Sequence, residues 1–139
     1  MISENIKALA KYRLEQSDES LAAASILFQQ DIFRRSVNNA YYAMFYAVMA
    51  LLAIKTMETS KHGGAISLFD REFVKTGIFS KYFSQWLHRA FDLRQRCDYE
   101  AQFTVSKEDA RITLTAAEEF VAKVKSVIAT ISQDEVQGV

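Results

Sequence analysis

The chain has 139 residues, half of them hydrophobic and 24 % charged, a length and balance that suit one globular domain with a real core. Its 17 basic residues offset 17 acidic ones, which excludes a global electrostatic pull toward nucleic acid and leaves only a local patch for any phosphate contact. A single cysteine, Cys97, excludes an internal disulfide and a cysteine-rich metal site, and the absence of proline favours long helices.

Met1-Ile2-Ser3-Glu4-Asn5 lacks the basic start and apolar core of a signal peptide, so a cytoplasmic location is expected. No linker, repeat or low-complexity tract interrupts the chain. One domain is therefore expected over residues 1–139, with a core of about 5–131 and a frayed polar tail at 132–139.

The first helix is expected from about Asn5 to Gln30. Ala10, Leu14, Ser17, Leu21, Ala24 and Phe28 alternate at spacings of three and four and form its apolar stripe. Asp31 is the expected cap of the second helix, which runs to about Lys55. That helix carries no charge from Ala40 to Ile54, a span shorter than the roughly 20 apolar residues of a membrane crossing. A helix apolar on all sides that does not cross a bilayer is wrapped by other helices, and this one is expected at the centre of a bundle.

Met57-Glu58-Thr59-Ser60 reads as a loop, with Ser60 as cap of a short third helix through Leu68, Phe69 and Phe73. Gly77 is the expected left-handed stop after Val74-Lys75-Thr76. The fourth helix begins near Ser80, with Phe79, Phe83, Trp86, Ala90, Leu93 and Cys97 as its stripe. Ser106 and Asp109 form a near match to a capping box for the fifth helix. That helix has the cleanest period, through Ala110, Leu114, Ala117, Val121, Val124, Ile128 and Ile131. No stretch alternates with period two. The expected fold is all-α: an antiparallel up-and-down helical bundle of four long helices plus one short helix.

These segments carry a family resemblance. Its carriers are Tyr12-Arg13-Leu14, Ala22 through Phe28, Asn38-Asn39-Ala40-Tyr41-Tyr42-Ala43-Met44-Phe45, Lys61-His62-Gly63, Phe73-Val74-Lys75-Thr76-Gly77, Leu93 through Tyr99, and Ala117-Glu118-Glu119-Phe120. In this order the chain resembles a HEPN domain of the small stand-alone prokaryotic branch. The resemblance implies a helical bundle that commonly dimerises. It also implies a role as an RNA-cleaving toxin or as an RNA- or nucleotide-binding module, some members being paired with a nucleotidyltransferase-like antitoxin. The catalytic signature of active members is an arginine, a gap of four to six residues and a histidine. Here neither His62 nor His88 follows an arginine at that spacing, and the corresponding stretch reads Arg94-Gln95-Arg96-Cys97-Asp98-Tyr99. An aspartate exchanges protons poorly near neutral pH.

Arg94 and Asp98 lie one turn apart on the flank of the fourth helix shared with Leu87 and Phe91. This suits either a dimer seam that brings two copies together or a simple i,i+4 ion pair. On the first reading Arg94 holds a phosphate, and Arg94, Asp98 and Tyr99 are the catalytic candidates. Arg96, Lys61, His62, Asn38 and Tyr42 are the further candidates for nucleic-acid or phosphate contact.

Lys61-His62-Gly63-Gly64 opens a helix and suits an anion; a solvated helix start, or His62 packed on the second helix, are the alternatives. Asn38, Tyr42 and Tyr46 share one face, either as core residues or as the wall of a cleft with Arg94. The aromatic run Phe79, Tyr82, Phe83 and Trp86 fits core packing better than base stacking. No ligand set for a metal is recognisable, and neither metal nor cofactor is expected. The expected partners are a second copy of the chain, a nucleotidyltransferase-like protein, and RNA or a nucleotide, with no membrane. The functional alternatives are a binding module in a toxin–antitoxin-like pair, a ribonuclease toxin, and a protein–protein adaptor.

Overall fold

The computed structural model describes residues 2–137, with side chains through residue 132. Its elements are α1 (Glu4–Gln29), α2 (Phe33–Ile54), α3 (His62–Phe69) continuing into a π-helical turn (Asp70–Val74), α4 (Lys81–Tyr99) and α5 (Lys107–Gln137). No strand occurs among the described residues. The expected tail falls on residues whose side chains lie outside those described; the α5 backbone is helical to Gln137.

α1 starts on Ser3, whose Oγ accepts from the Ile6 N–H at 3.2 Å. Its end departs from expectation. Asp31 does not cap α2: it adopts a left-handed backbone (φ 61°) and closes α1. The Asp31 N–H donates to Phe28 O (3.0 Å) and the Ile32 N–H to Leu27 O (2.9 Å), a Schellman closure. α2 then begins after Ile32 without a side-chain cap. α2 ends in the same way. Thr56 is left-handed (φ 56°), its N–H donates to Ala53 O, and Met57 N–H donates to Leu52 O at 2.8 Å. A third left-handed residue, Gly77 (φ 86°), ends the π-helical segment where expected.

Ser60 does not cap α3 either. The cap position is Lys61, whose N–H donates to Thr59 Oγ1 at 3.3 Å. Thr59 Oγ1 would stand 2.7 Å from a Cβ on Gly64, so the glycine is what lets the loop lie against the helix start. Ser106 behaves as expected and accepts from the Asp109 N–H at 3.0 Å.

α2 is the central helix. It is long and apolar enough to span a bilayer, but 67 % of its most apolar window is buried inside the bundle, as befits a core helix. Small residues bring α1 and α2 close: Ala10, Ser17 and Ala24 on one, Ala40, Ala43 and Ala47 on the other. Ser17 Oγ donates to Ala43 O (2.7 Å) and Ser36 Oγ to Ala24 O (2.8 Å), which fixes the pair as antiparallel. Arg34 reaches Phe103 O while Tyr42 meets Arg94, so α4 also runs antiparallel to α2.

Phe69, Phe73, Phe79 and Phe120 fill the core below α3. Phe83 and Trp86 pack beside them, and only Tyr82 of that aromatic run is exposed. The aromatic run is core packing, as the spacing favours.

Candidate functional site: an aromatic cage around His62 beside Arg94

The site is built on the face of α2 that meets α3 and α4. Two tyrosines at successive positions divide the work. Tyr41 is fully buried, while Tyr42 is half-buried. α3 brings His62 to them: His62 Nδ1 lies 2.6 Å from the Tyr41 hydroxyl, across 21 positions of sequence. The imidazole stacks on Phe45 with centroids 4.2 Å apart and planes 14° apart. Tyr41, Tyr42 and Phe91 complete a cage of rings about it. Stacking on one side and a hydrogen bond at the edge leave the ring little freedom to turn.

Arg94 of α4 occupies the other side. Its Nη2 donates to the Tyr42 hydroxyl at 3.0 Å. Its guanidinium carbon lies 5.3 Å from the Tyr42 ring centroid and 5.8 Å from that of Tyr41, within cation–π range. Arg94 Nε sits 3.0 Å from Asp98 Oδ2, the i,i+4 contact that the spacing predicts. The Nε–H is not directed at that oxygen, however, and Nε is a buried donor without a hydrogen-bond partner. Asn38 Oδ1, one turn before Tyr42, is likewise buried and unpartnered. Buried polar atoms without a protein partner are free to bond a ligand or a water.

The electrostatics follow from this packing. Burial, and then the charge of Arg94, push the His62 pKa below its ordinary 6.5, so the imidazole is neutral at pH 7. Burial pushes the Tyr41 phenol far above its ordinary range and keeps it a neutral hydrogen-bonding group.

On its outer side His62 borders an open groove of about 830 Å³. α1 contributes Ile6, Leu9 and Arg13 to its walls, α2 contributes Phe45 and Met49, and the loop contributes Glu58, Thr59 and Ser60. Its size falls in the roughly 300–1,000 Å³ range of small-ligand sites, with an apolar floor and a few polar groups. Phe45 and His62 are where the groove meets the Arg94 cluster.

Of the residues singled out from sequence, the structure brings together Arg94, Asp98, Tyr42 and His62, with Asn38 close by on α2. It does not bring in the others. Arg96 pairs with Glu100 (2.8 Å) and lies over Phe103 (4.1 Å) on another side of α4. Tyr99 is 79 % exposed at the end of α4. Lys61 is exposed at the start of α3 and is not part of the groove wall. The flank expected as an open seam is largely internal: Leu87 is fully buried, and Arg94 turns to Tyr42. Sequence reasoning passed over Tyr41 and Phe45, which hold His62. Two tyrosines in a row on an apolar helix were the available signal, since only one of them can face the core. Among the described residues no cluster of histidine, cysteine and carboxylates has the makings of a metal site.

The HEPN domain family model matches residues 10–127, a range that contains His62, its ring cage and Arg94. The chain belongs to the HEPN domain family. Two proteins of Methanocaldococcus jannaschii named as candidate toxins are similar to it. One is 32 % identical over 125 residues, covering 90 % of this chain and 84 % of its own length. The other is 34 % identical over 130 residues, covering 94 % and 93 %. A UPF0332 protein of Thermotoga maritima is 33 % identical over 120 residues, covering 86 % of this chain and 91 % of that protein. This HEPN chain is thus an all-α member, in which Arg94 and His62 share Tyr41 and Tyr42 as neighbours without the sequence motif.

Proposed function

We propose that this HEPN chain is an RNA- or nucleotide-binding module, and that the groove and the Arg94–His62 cluster form its binding surface. The observation that carries the reading is Arg94: a cation only 18 % exposed, gripped by Tyr42, flanked by Asp98 and left with a buried unpartnered donor. A guanidinium held in a fixed plane beside aromatic rings suits a phosphate, which it can engage with two parallel hydrogen bonds. The rings of Phe45 and His62 next to it suit a base, because stacking accepts any base. Zero net charge makes this local arrangement, not the whole surface, responsible for binding.

The names of its relatives support a place in a toxin–antitoxin-like pair, in which a nucleotidyltransferase-like protein would be the partner. On this reading the chain works as one cytoplasmic domain and as a homodimer, with the exposed end of α4 around Asp98 and Tyr99 as part of the seam. The test is titration of a labelled single-stranded RNA with the purified protein, alongside sedimentation. Binding that weakens as salt rises supports the reading, because phosphate contacts release counterions. Absence of binding at low salt to RNA and to nucleotides contradicts it and favours an adaptor.

A further inference from the structure

We propose that the groove between α1, the end of α2 and the loop before α3 binds an amphipathic acid, with its anionic head at Arg13 and an unbranched apolar chain running toward Ile6. This goes beyond the RNA-binding reading and does not depend on it.

The groove has a polar end and an apolar end. Ser17 of α1 bonds to the Ala43 carbonyl of α2, and the two helices run antiparallel. Arg13 stands one turn before Ser17 and is therefore level with the α2 turn that follows Ala43, next to Phe45. Ile6 stands about three turns before Ser17 and is level with the end of α2. The loop wall runs the same way, from Thr56 at the end of α2 to His62 stacked on Phe45. Arg13 and His62 thus share one end. Ile6, Ala53 and Met57 share the other, with Leu9 and Met49 between them.

The residues select the ligand. Arg13 is half-buried, and its Nη1 donates to the neutral Gln16 Oε1 at 2.9 Å. It also lies near the Tyr12 ring and has no carboxylate partner among the described residues. A guanidinium so placed accommodates a carboxylate head with its remaining donors. Glu58 is the one acidic residue of the wall; it lies on the exposed loop and disfavours an anion there, which leaves the Arg13 end for the head. Leu9 is 42 % exposed although it lines an apolar groove, and an apolar chain laid along it removes that surface from water. Met49 and Met57 are unbranched and adapt to a chain of variable shape. From Ile6 to Arg13 the helix rises by roughly 10 Å, the span of an extended chain of about ten carbons. A volume of about 830 Å³ accommodates such a chain.

The experiment is equilibrium dialysis of labelled decanoate against the full chain at pH 7, below the concentration at which the acid aggregates. The parent is expected to take up one decanoate per chain, with a dissociation constant on the order of tens of micromolar. Octanoate, with a shorter chain, is expected to bind about tenfold more weakly. Arg13→Ala is expected to weaken decanoate at least about tenfold while leaving the uncharged decanol unchanged. Leu9→Glu changes an exposed position, so the fold is expected to persist, and it is expected to weaken decanoate and decanol together. The melting temperature of each variant is measured beside its binding, and Arg13→Gln replaces Arg13→Ala if the latter does not melt as a folded protein. No saturable uptake by the parent below about 1 mM overturns the inference. Decanoate binding that is equal in the parent and the Arg13 variant overturns the head site, and binding equal in the parent and Leu9→Glu overturns the groove. None of these outcomes bears on RNA binding, which is read separately by titration.

Discussion

The face of α2 that meets α1 and the face that meets α4 belong to one helix, yet they treat their polar atoms in opposite ways. Against α1, around Ser17 and Ser36, the contact is close and closed. Alanines line it, and both serine hydroxyls donate to backbone carbonyls across the seam. Against α4 the contact is aromatic and incomplete. Arg94 Nε and Asn38 Oδ1 are buried without protein partners. A satisfied seam serves stability, whereas an unsatisfied one stores binding capacity at some cost in folding. One helix serves both purposes because its two flanks carry different residue sizes.

The largest expected loss comes from damage to the core of α2 itself. Leu51 is fully buried, and Leu51→Ala is expected to lower the unfolding free energy by about 2–5 kcal/mol in urea titration. A loss well below that range would mean the core is looser than its packing indicates.

At the end of the same helix Thr56 holds a left-handed backbone that a β-branched residue adopts at a cost. Thr56→Gly is therefore expected to stabilise the fold by about 1 kcal/mol, read as a raised urea midpoint. Any destabilisation would argue against the Schellman closure.

On the open side the expected change in stability is smaller. Arg94→Ala removes an ion pair with a partly exposed aspartate and a hydrogen bond to Tyr42, but also an unpartnered buried donor, so it is expected to lower folding stability by only about 1 kcal/mol. A loss as large as that of Leu51→Ala would make Arg94 a structural residue and dissolve the contrast between the faces.

The smallest expected effect is the response to pH. His62 titrates below its ordinary 6.5 in the folded chain, first because of burial and then because of Arg94. The unfolded chain thus binds its proton more readily than the folded one. The stability this group contributes is whole above about pH 6.5 and is lost as pH falls through the lowered value. Melting temperature is expected to drop on acidification from that point, and the drop to be shallower in His62→Gln. Identical profiles would place His62 in an unperturbed environment.

Much of the fold was legible in the sequence because it rests on local rules. The stripe of Ala10, Ser17 and Ala24, the period of α5 and the stop at Gly77 all follow from spacing. The misread caps, Asp31 and Ser60, are residues whose type favours an N-cap but whose neighbours decide otherwise: the α1 closure needs a left-handed residue at 31, and Thr59 already serves Lys61. The site was legible only in part. Arg94 and Asp98 are one turn apart on one helix, so their contact could be read. The meeting of His62 with Tyr41 depends on how the loop folds back over α3, and Gly64 was its one local sign. Arg96 shows the converse. Two positions along a helix from Arg94, it points to a different neighbour and a different carboxylate.

That pair of arginines gives the most direct test of the central claim, that the aromatic face beside α4 is the phosphate-binding surface. The measurement is the salt dependence of RNA affinity for the parent, Arg94→Ala and Arg96→Ala. The account predicts that Arg94→Ala weakens binding and lowers the slope of log affinity against log salt by about one, while Arg96→Ala follows the parent. If Arg96→Ala loses the slope and Arg94→Ala follows the parent, the binding surface lies on the other side of α4 and the claim is contradicted.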